Sequence, residues 1–191
     1  MLRNINLQLF AVPNDIILGD GVFSIGQTTS SMVDVALTRG GGAFIIEREY
    51  RNIEADGDFG PVKQRQRVTK SVAKLSMKAL ELVPYRMDEY YPSISASATG
   101  AITAGTTCAI TGNPLSSNIT SADYSFVTWT GYTKGGTRAY IELQNAINLE
   151  NISWPLVDKD EVVAELNFTA TYETSQRTKE PWKVVFTSTS S

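Results

Sequence analysis

Two period-two stretches separated by a glycine-containing turn constrain this chain more than any other feature. Over residues 43–55, Ile45, Glu47, Glu49, Arg51 and Ile53 alternate with Phe44, Ile46, Arg48, Tyr50, Asn52 and Glu54. Over residues 60–82, Lys63, Arg65 and Arg67 share a parity with Thr69, Ser71, Ala73, Leu75 and Met77 unless a bulge intervenes. Side chains two positions apart share a face in an extended strand. The stretches therefore predict two antiparallel strands joined at Asp56-Gly57-Asp58-Phe59-Gly60-Pro61. This long hairpin, about residues 43–82, is charged toward its tip and apolar toward its base, so it is expected to project from the sheet. Cross-strand pairing predicts Glu47, Glu49 and Glu54 opposite Lys63, Arg65 and Arg67 in a mutually neutralising ladder. A long two-stranded ribbon is only marginally stable alone. It is either a solvated ribbon or an arm that pairs with a neighbouring subunit.

The rest of the chain also reads as β. Threonine and serine supply 20 and 17 of the 191 residues, while only 19% are charged, a composition that favours strands over helices. Short strands are expected at 16–18 and 22–25 around Gly19-Asp20-Gly21, and at 33–37, followed by a turn or bulge at Gly40-Gly41-Gly42. Pro84 opens a short helix that Pro92 ends. Residues 93–113, rich in Ser, Ala, Thr and Gly, form a variable loop or weak ribbon in which Cys108 is a small, semi-buried residue. Strands are expected at 125–132 and 138–143, then a brief helix or irregular link at 143–149. Further strands follow at 152–156, 161–172 and 182–186, with Asp158-Lys159-Asp160 as a charged hairpin turn. The whole reads as an N-terminal arm, residues 1–14, and a single β domain, residues 15–191.

Composition narrows the chemistry. The chain has no histidine and one cysteine, which removes Ser-His-Asp and Cys-His nucleophile pairs, the common zinc ligand sets, CxxC motifs and any intramolecular disulfide. Seventeen basic against 20 acidic residues, a net charge of -3, argue against a dedicated nucleic-acid-binding domain. The one cationic run, Lys63 to Lys78, comes without an aromatic platform. The acidic turn at 158–161 lacks the loop length and glycine of a calcium motif, and no glycine pattern fits a phosphate-binding loop. Neither a cofactor nor catalysis is expected. The N-terminal residues contain no apolar run long enough for a signal peptide, so a cytoplasmic origin is expected and the three Asn-X-Ser/Thr sequons are read as chance. Ile5, Leu7, Leu9 and Phe10 are too apolar for a solvated tail and are expected to dock on this domain or on a neighbour.

Four segments, in this order, carry a resemblance. They are Asp15-Ile-Ile-Leu-Gly-Asp-Gly-Val-Phe-Ser-Ile-Gly26, the turn Leu37-Thr-Arg-Gly-Gly-Gly-Ala-Phe44, the hairpin with Ile53-Glu-Ala-Asp-Gly57 and Gly60-Pro-Val-Lys63, and Phe168-Thr-Ala-Thr-Tyr172 with Glu180-Pro-Trp182. Over residues 15–186 the chain resembles the major tail tube proteins of long, flexible-tailed (siphovirus-type) bacteriophages. The resemblance implies a mainly β subunit, a β-sandwich or small β-barrel with one short α-helix. It implies hexameric rings stacked into a tube through which the tape-measure protein and then the genome pass.

Its partners would be further copies of itself, the tape-measure protein, transiently passing DNA, and the tail terminator and distal tail proteins. Its place would be the virion tail, assembled in the host cytoplasm without membrane binding. In that family inner strands join around the ring as a continuous barrel, which makes Glu47, Glu49, Arg51, Lys63, Arg65 and Arg67 candidates to face the lumen. The tip loop, Asp56, Gly57, Asp58, Phe59, Gly60 and Pro61, and the arm residues Ile5, Leu7, Leu9 and Phe10 would make contacts between rings. Residues 96–113 depart from the pattern. A genome conduit should not grip phosphates, so an acidic wall is expected. The alternatives are another ring of the tail, a terminator or distal component, and a carbohydrate-binding β-sandwich using Trp129, Trp154 and Trp182.

Overall fold

The computed structural model describes residues 13–35, 37–98, 100–113 and 118–188. The arm residues Ile5, Leu7, Leu9 and Phe10 lie outside this set. In chain order the strands are β1 (Ile17–Gly26), β2 (Val33–Asp34), β3 (Thr38–Asn52), β4 (Gln66–Ala79), β5 (Ile94–Ala96), β6 (Ile110–Gly112), β7 (Ser125–Thr133), β8 (Arg138–Ile147), β9 (Ala164–Ala170) and β10 (Trp182–Thr187), with helix α1 (Met87–Tyr90) between β4 and β5. The fold is mainly β.

Strand β8 is the pivot of the sheet. Its first half lies between β7 and β10, pairing with β10 from Arg138↔Thr187 to Leu143↔Trp182. Its last residues leave β10 and pair with β9 through Ala146↔Ala170 and Ile147↔Thr169 alone. The sheet turns there into two limbs, β2-β1-β7-β8-β10 and β9-β4-β3. Alternate residues of each limb face the other: Phe23, Ile25, Val127 and Leu143 meet Leu75, Met77, Leu166 and Phe168 in one cluster. Burying each such side chain stabilises the fold by ~1.5–3 kcal/mol. The outermost strands β2 and β3 do not join. Of the two expected architectures the molecule is therefore the sandwich-like one and not a closed barrel.

The helical segment seals the gap between the limbs. Pro84 occupies the first turn of a 3-10 helix (Pro84–Arg86) that runs into α1, a position where its missing N–H costs nothing. Met87, Tyr90 and Tyr91 enter the core. Buried Arg86 donates Nη2 to the Ile25 carbonyl at 3.1 Å and pairs with Glu89. Burial pushes the Tyr90 phenol up.

Several elements differ from expectation, each for a physical reason. Gly19-Asp20-Gly21 is an irregularity within β1, whose register against β7 shifts between Ile17 and Gly21, and not a turn between two strands. Gly40 and Gly41, at φ +89° and +74°, form the expected bulge inside β3, a conformation that glycine adopts without strain. Strand β8 continues to Ile147 where a helix or link was expected. Between Leu143 and Ala146 it carries one more residue than β7 does opposite, with Asn145 at φ +48°. Residues 152–156 form no strand. The 158–161 turn consequently joins a segment without regular structure to β9, and it is held to β3 by Arg39, which bonds Asp160 and Glu161. The 93–113 region contains the short β5–β6 ribbon, paired from Ile94↔Gly112 to Ala96↔Ile110, with Cys108 half-buried.

Candidate functional site

The hairpin projects as the alternation predicts. Strand β4 pairs with β9 only from Lys74 to Ala79, yet its pairing with β3 continues to Gln66↔Asn52. The distal part thus stands past β9 as a two-stranded ribbon. At its root, Glu180 Oε2 accepts hydrogen bonds from Trp182 Nε1 (2.9 Å), Tyr172 Oη (3.0 Å) and Ser71 Oγ (3.2 Å). The Trp182 ring meets Phe44 edge-on, with centroids 5.9 Å apart. These contacts tie β4, β10 and the end of β9 together where the ribbon leaves the body.

The charge ladder exists with different partners. Lys74 Nζ lies 2.9 Å from Glu47 and Lys70 Nζ 3.1 Å from Glu49. Lys63 and Arg65 precede β4, and Arg65 bonds Asp58 within the loop at 2.6 Å. Arg67 is opposite Arg51. The expected opposition of Glu47, Glu49 and Glu54 to Lys63, Arg65 and Arg67 is therefore corrected, for two reasons. The connection consumes residues 53–65 rather than a short turn, and an extra β4 residue between Lys70 and Val68 shifts the register at Glu49/Tyr50. Like charges directly opposite destabilise a strand pair. Among the described residues neither Arg51 nor Arg67 has an ion-pair partner.

The loop is ordered by its own bonds. Ile53 N donates to the Arg65 carbonyl at 2.9 Å, and Asp58 Oδ2 accepts from Ala55 N at 2.9 Å. All six residues proposed for the tip, Asp56 to Pro61, are exposed, and Phe59 is fully so. The ribbon also carries an apolar pair not singled out from the sequence. Tyr50, 64% exposed, stands opposite Val68, with exposed Ile53 nearby in the chain. The signal was present, since Tyr50 shares its parity with Phe44 and Ile46, which pack on the core. The ribbon extends the core-facing row of β3 past the point where the other limb can cover it.

The opposite face of the β9-β4-β3 limb carries most of the lumen candidates. Glu47, Glu49 and Glu165 share it with Arg51, Arg67, Lys70, Lys74 and Lys78. This face is mixed in charge with a cationic excess, so the expected acidic wall is not found on it. Lys63 and Arg65 lie in the loop. The outer face of the other limb holds a closed polar network. Glu142, 2% exposed at its side chain, accepts from Tyr140 Oη (2.9 Å), Gln144 Nε2 (2.8 Å) and Lys183 Nζ (2.8 Å). Burial opposes its charge, yet these donors hold its carboxyl below the usual carboxylate range. Burial and the neighbouring Glu142 push Tyr140 up to about 12.

Comparison with models of known protein families and with curated protein sequences gives no match. Among the described residues, no cluster of three acidic or sulfur side chains could hold a metal, and no helix is long and apolar enough to cross a membrane.

Proposed function

We propose that this chain is a structural, self-assembling subunit of the siphovirus tail-tube type, which forms hexameric rings that stack into a conduit for a phage genome. The observation that carries the reading is the distal β3–β4 ribbon. It exposes Tyr50, Val68, Ile53 and Phe59, and among the described strands β3 lies at the sheet edge over its whole length. Exposed apolar ribbons with a free edge invite pairing with another chain, and a second copy is the partner that a tube requires. The sequence resemblance supplies the rest: six copies to a ring, stacking through the tip loop, the tape-measure protein and genome inside, terminator and distal proteins at the ends, and a place in the virion tail.

Negative-stain electron microscopy of the purified chain tests the reading. Long hollow tubes with a regular ring repeat are expected, and Phe59→Asp combined with Tyr50→Ser should leave folded subunits that do not polymerise. Isolated rings without tubes would reassign the chain to a terminator or distal component. A monomer at every concentration, with or without tape-measure protein, would refute the proposal.

A further inference from the structure

The distal β3–β4 ribbon brings two arginines together on its outer face. From Gly42↔Met77 to Glu49↔Lys70 the register is regular, and continued unbroken it would set Arg51 opposite Val68 and leave Arg67 on the core-parity face. The extra β4 residue at the Glu49/Tyr50 shift turns Arg67 outward instead and sets it directly across from Arg51. Bulges re-aim side chains in this way and are over-represented beside functional sites. Like charges so placed repel. Both side chains are exposed, and with Asn52, Ile53 and Glu54 they line a recess of about 510 Å³.

No acidic side chain of the same chain relieves the pair. Glu49 and Glu47 are bonded to Lys70 and Lys74, and Glu165 stands opposite Lys78. Glu54 shares the recess but, among the described residues, makes no ion pair with either arginine. Every aspartate and glutamate of the sequence lies among the described residues. The positive charge of this face is therefore concentrated, unneutralised, at one point.

We infer that Arg51 and Arg67 together form a docking point for carboxylates of a second copy of this chain. The inference rests on the reading of the ribbon as an assembly surface and gives that surface a charged anchor. The two arginines flank Tyr50 and Val68 in the chain and lie on the reverse face, so a copy that pairs along the ribbon meets both. Charge decides the kind of partner. The chain carries 20 acidic against 17 basic residues, so a second copy offers carboxylates in excess, and guanidinium forks match carboxylates in bidentate geometry. A nucleic-acid backbone is the poorer match. Its affinity grows with the number of phosphates neutralised, and the next cations along this face, Lys70, Lys74 and Lys78, are already opposed by Glu49, Glu47 and Glu165.

Carbodiimide coupling tests it, because the reagent joins amines to carboxylates and leaves guanidiniums untouched. Arg51→Lys or Arg67→Lys in the full-length chain places an amine at the site. An equal mixture of plain and isotope-labelled chains is coupled, digested and read by mass spectrometry. The expected product joins the new amine to an aspartate or glutamate of the other chain. Coupling only within one chain, as to Glu54, would overturn the inference.

Sedimentation at about 50 and about 500 mM salt, which spans strong and weak screening, gives a second readout. Self-association should weaken with salt. Arg51→Gln combined with Arg67→Gln should weaken it about tenfold at low salt and flatten the salt dependence. The melting temperature of the dissociated subunit should hold or rise, since the repulsion within the pair is gone. Association of unchanged strength and salt dependence in the double variant would overturn the inference and leave the assembly reading standing, whereas an unsubstituted chain that stays monomeric would refute both. Retention of duplex DNA that the double variant loses would assign the pair to phosphate and also overturn the inference.

Discussion

The β3–β4 ribbon passes through two environments within one pair of strands. In the root half, Phe44 and Leu75 face the opposing limb, β9 pairs with β4, and Glu180 braces the exit. In the distal half the same strands keep their backbone pairing but lose every covering layer, so Tyr50 and Val68 lie exposed. Side-chain burial stabilises the first half, whereas the second depends on cross-strand pairs worth ~0.2–1 kcal/mol each. The contrast separates what the subunit needs in order to fold from what it exposes to a partner.

Substitutions on either side of Ser71 should therefore behave differently. Leu75→Ala, in the root, removes a fully buried side chain and should lower unfolding free energy by about 2–5 kcal/mol, read from denaturant melts. A value under 1 kcal/mol would mean that the root is not a packed core. Glu180→Ala leaves Ser71, Tyr172 and Trp182 without their shared acceptor and should cost about 1–2 kcal/mol. Hydrogen exchange should show faster opening at the ribbon exit than in β7.

The body should also carry a pH dependence that the ribbon does not share. Glu142 has a folded-state pKa below its unfolded value, so its contribution is present above about pH 4.3 and is lost as pH falls through the depressed value. Tyr140 is raised to about 12, so its contribution is complete below about pH 10 and is lost as pH rises toward 12. Tyr140→Phe should lessen the alkaline decline in melting temperature, to which buried Tyr90, also raised, contributes as well, and an unchanged decline would point elsewhere. The smallest effect is expected in the distal half. Tyr50→Ser should change stability by less than about 0.5 kcal/mol while reducing self-association in sedimentation, and a large loss of stability would show that the ribbon is part of the core.

Legibility in the sequence follows the same division. The hairpin, its apolar base and its exposed loop could be read because alternation there is unbroken from Phe44 to Asn52. The glycine bulge and the Pro84 helix could be read because glycine alone takes positive φ without strain and proline fixes its φ near the helical value. What escaped were positions where one inserted residue resets the parity. The extra residue between Lys70 and Val68 moved the ion pairs to Lys70 and Lys74, and the one near Asn145 hid the end of β8. Residues 152–156 alternate like a strand, but Pro155 lacks an N–H and they pair with no described strand. Within the candidate site the loop residues were legible and Tyr50 with Val68 were not, because a core-parity aromatic reads as core until the sheet facing it is known to end.

The Glu142 network bears on the order in which the molecule can be made. β8 is central to its limb, but the ammonium that neutralises Glu142 arrives on β10, which leaves the ribosome after every other described strand. Synthesis runs from the N-terminus at ~5–20 residues per second. For the seconds between these two strands, the nascent sheet must hold an unpaired carboxylate open to water. Closure of this limb is thereby tied to completion of β10, and a chain released before Lys183 should remain soluble but unzipped along that side.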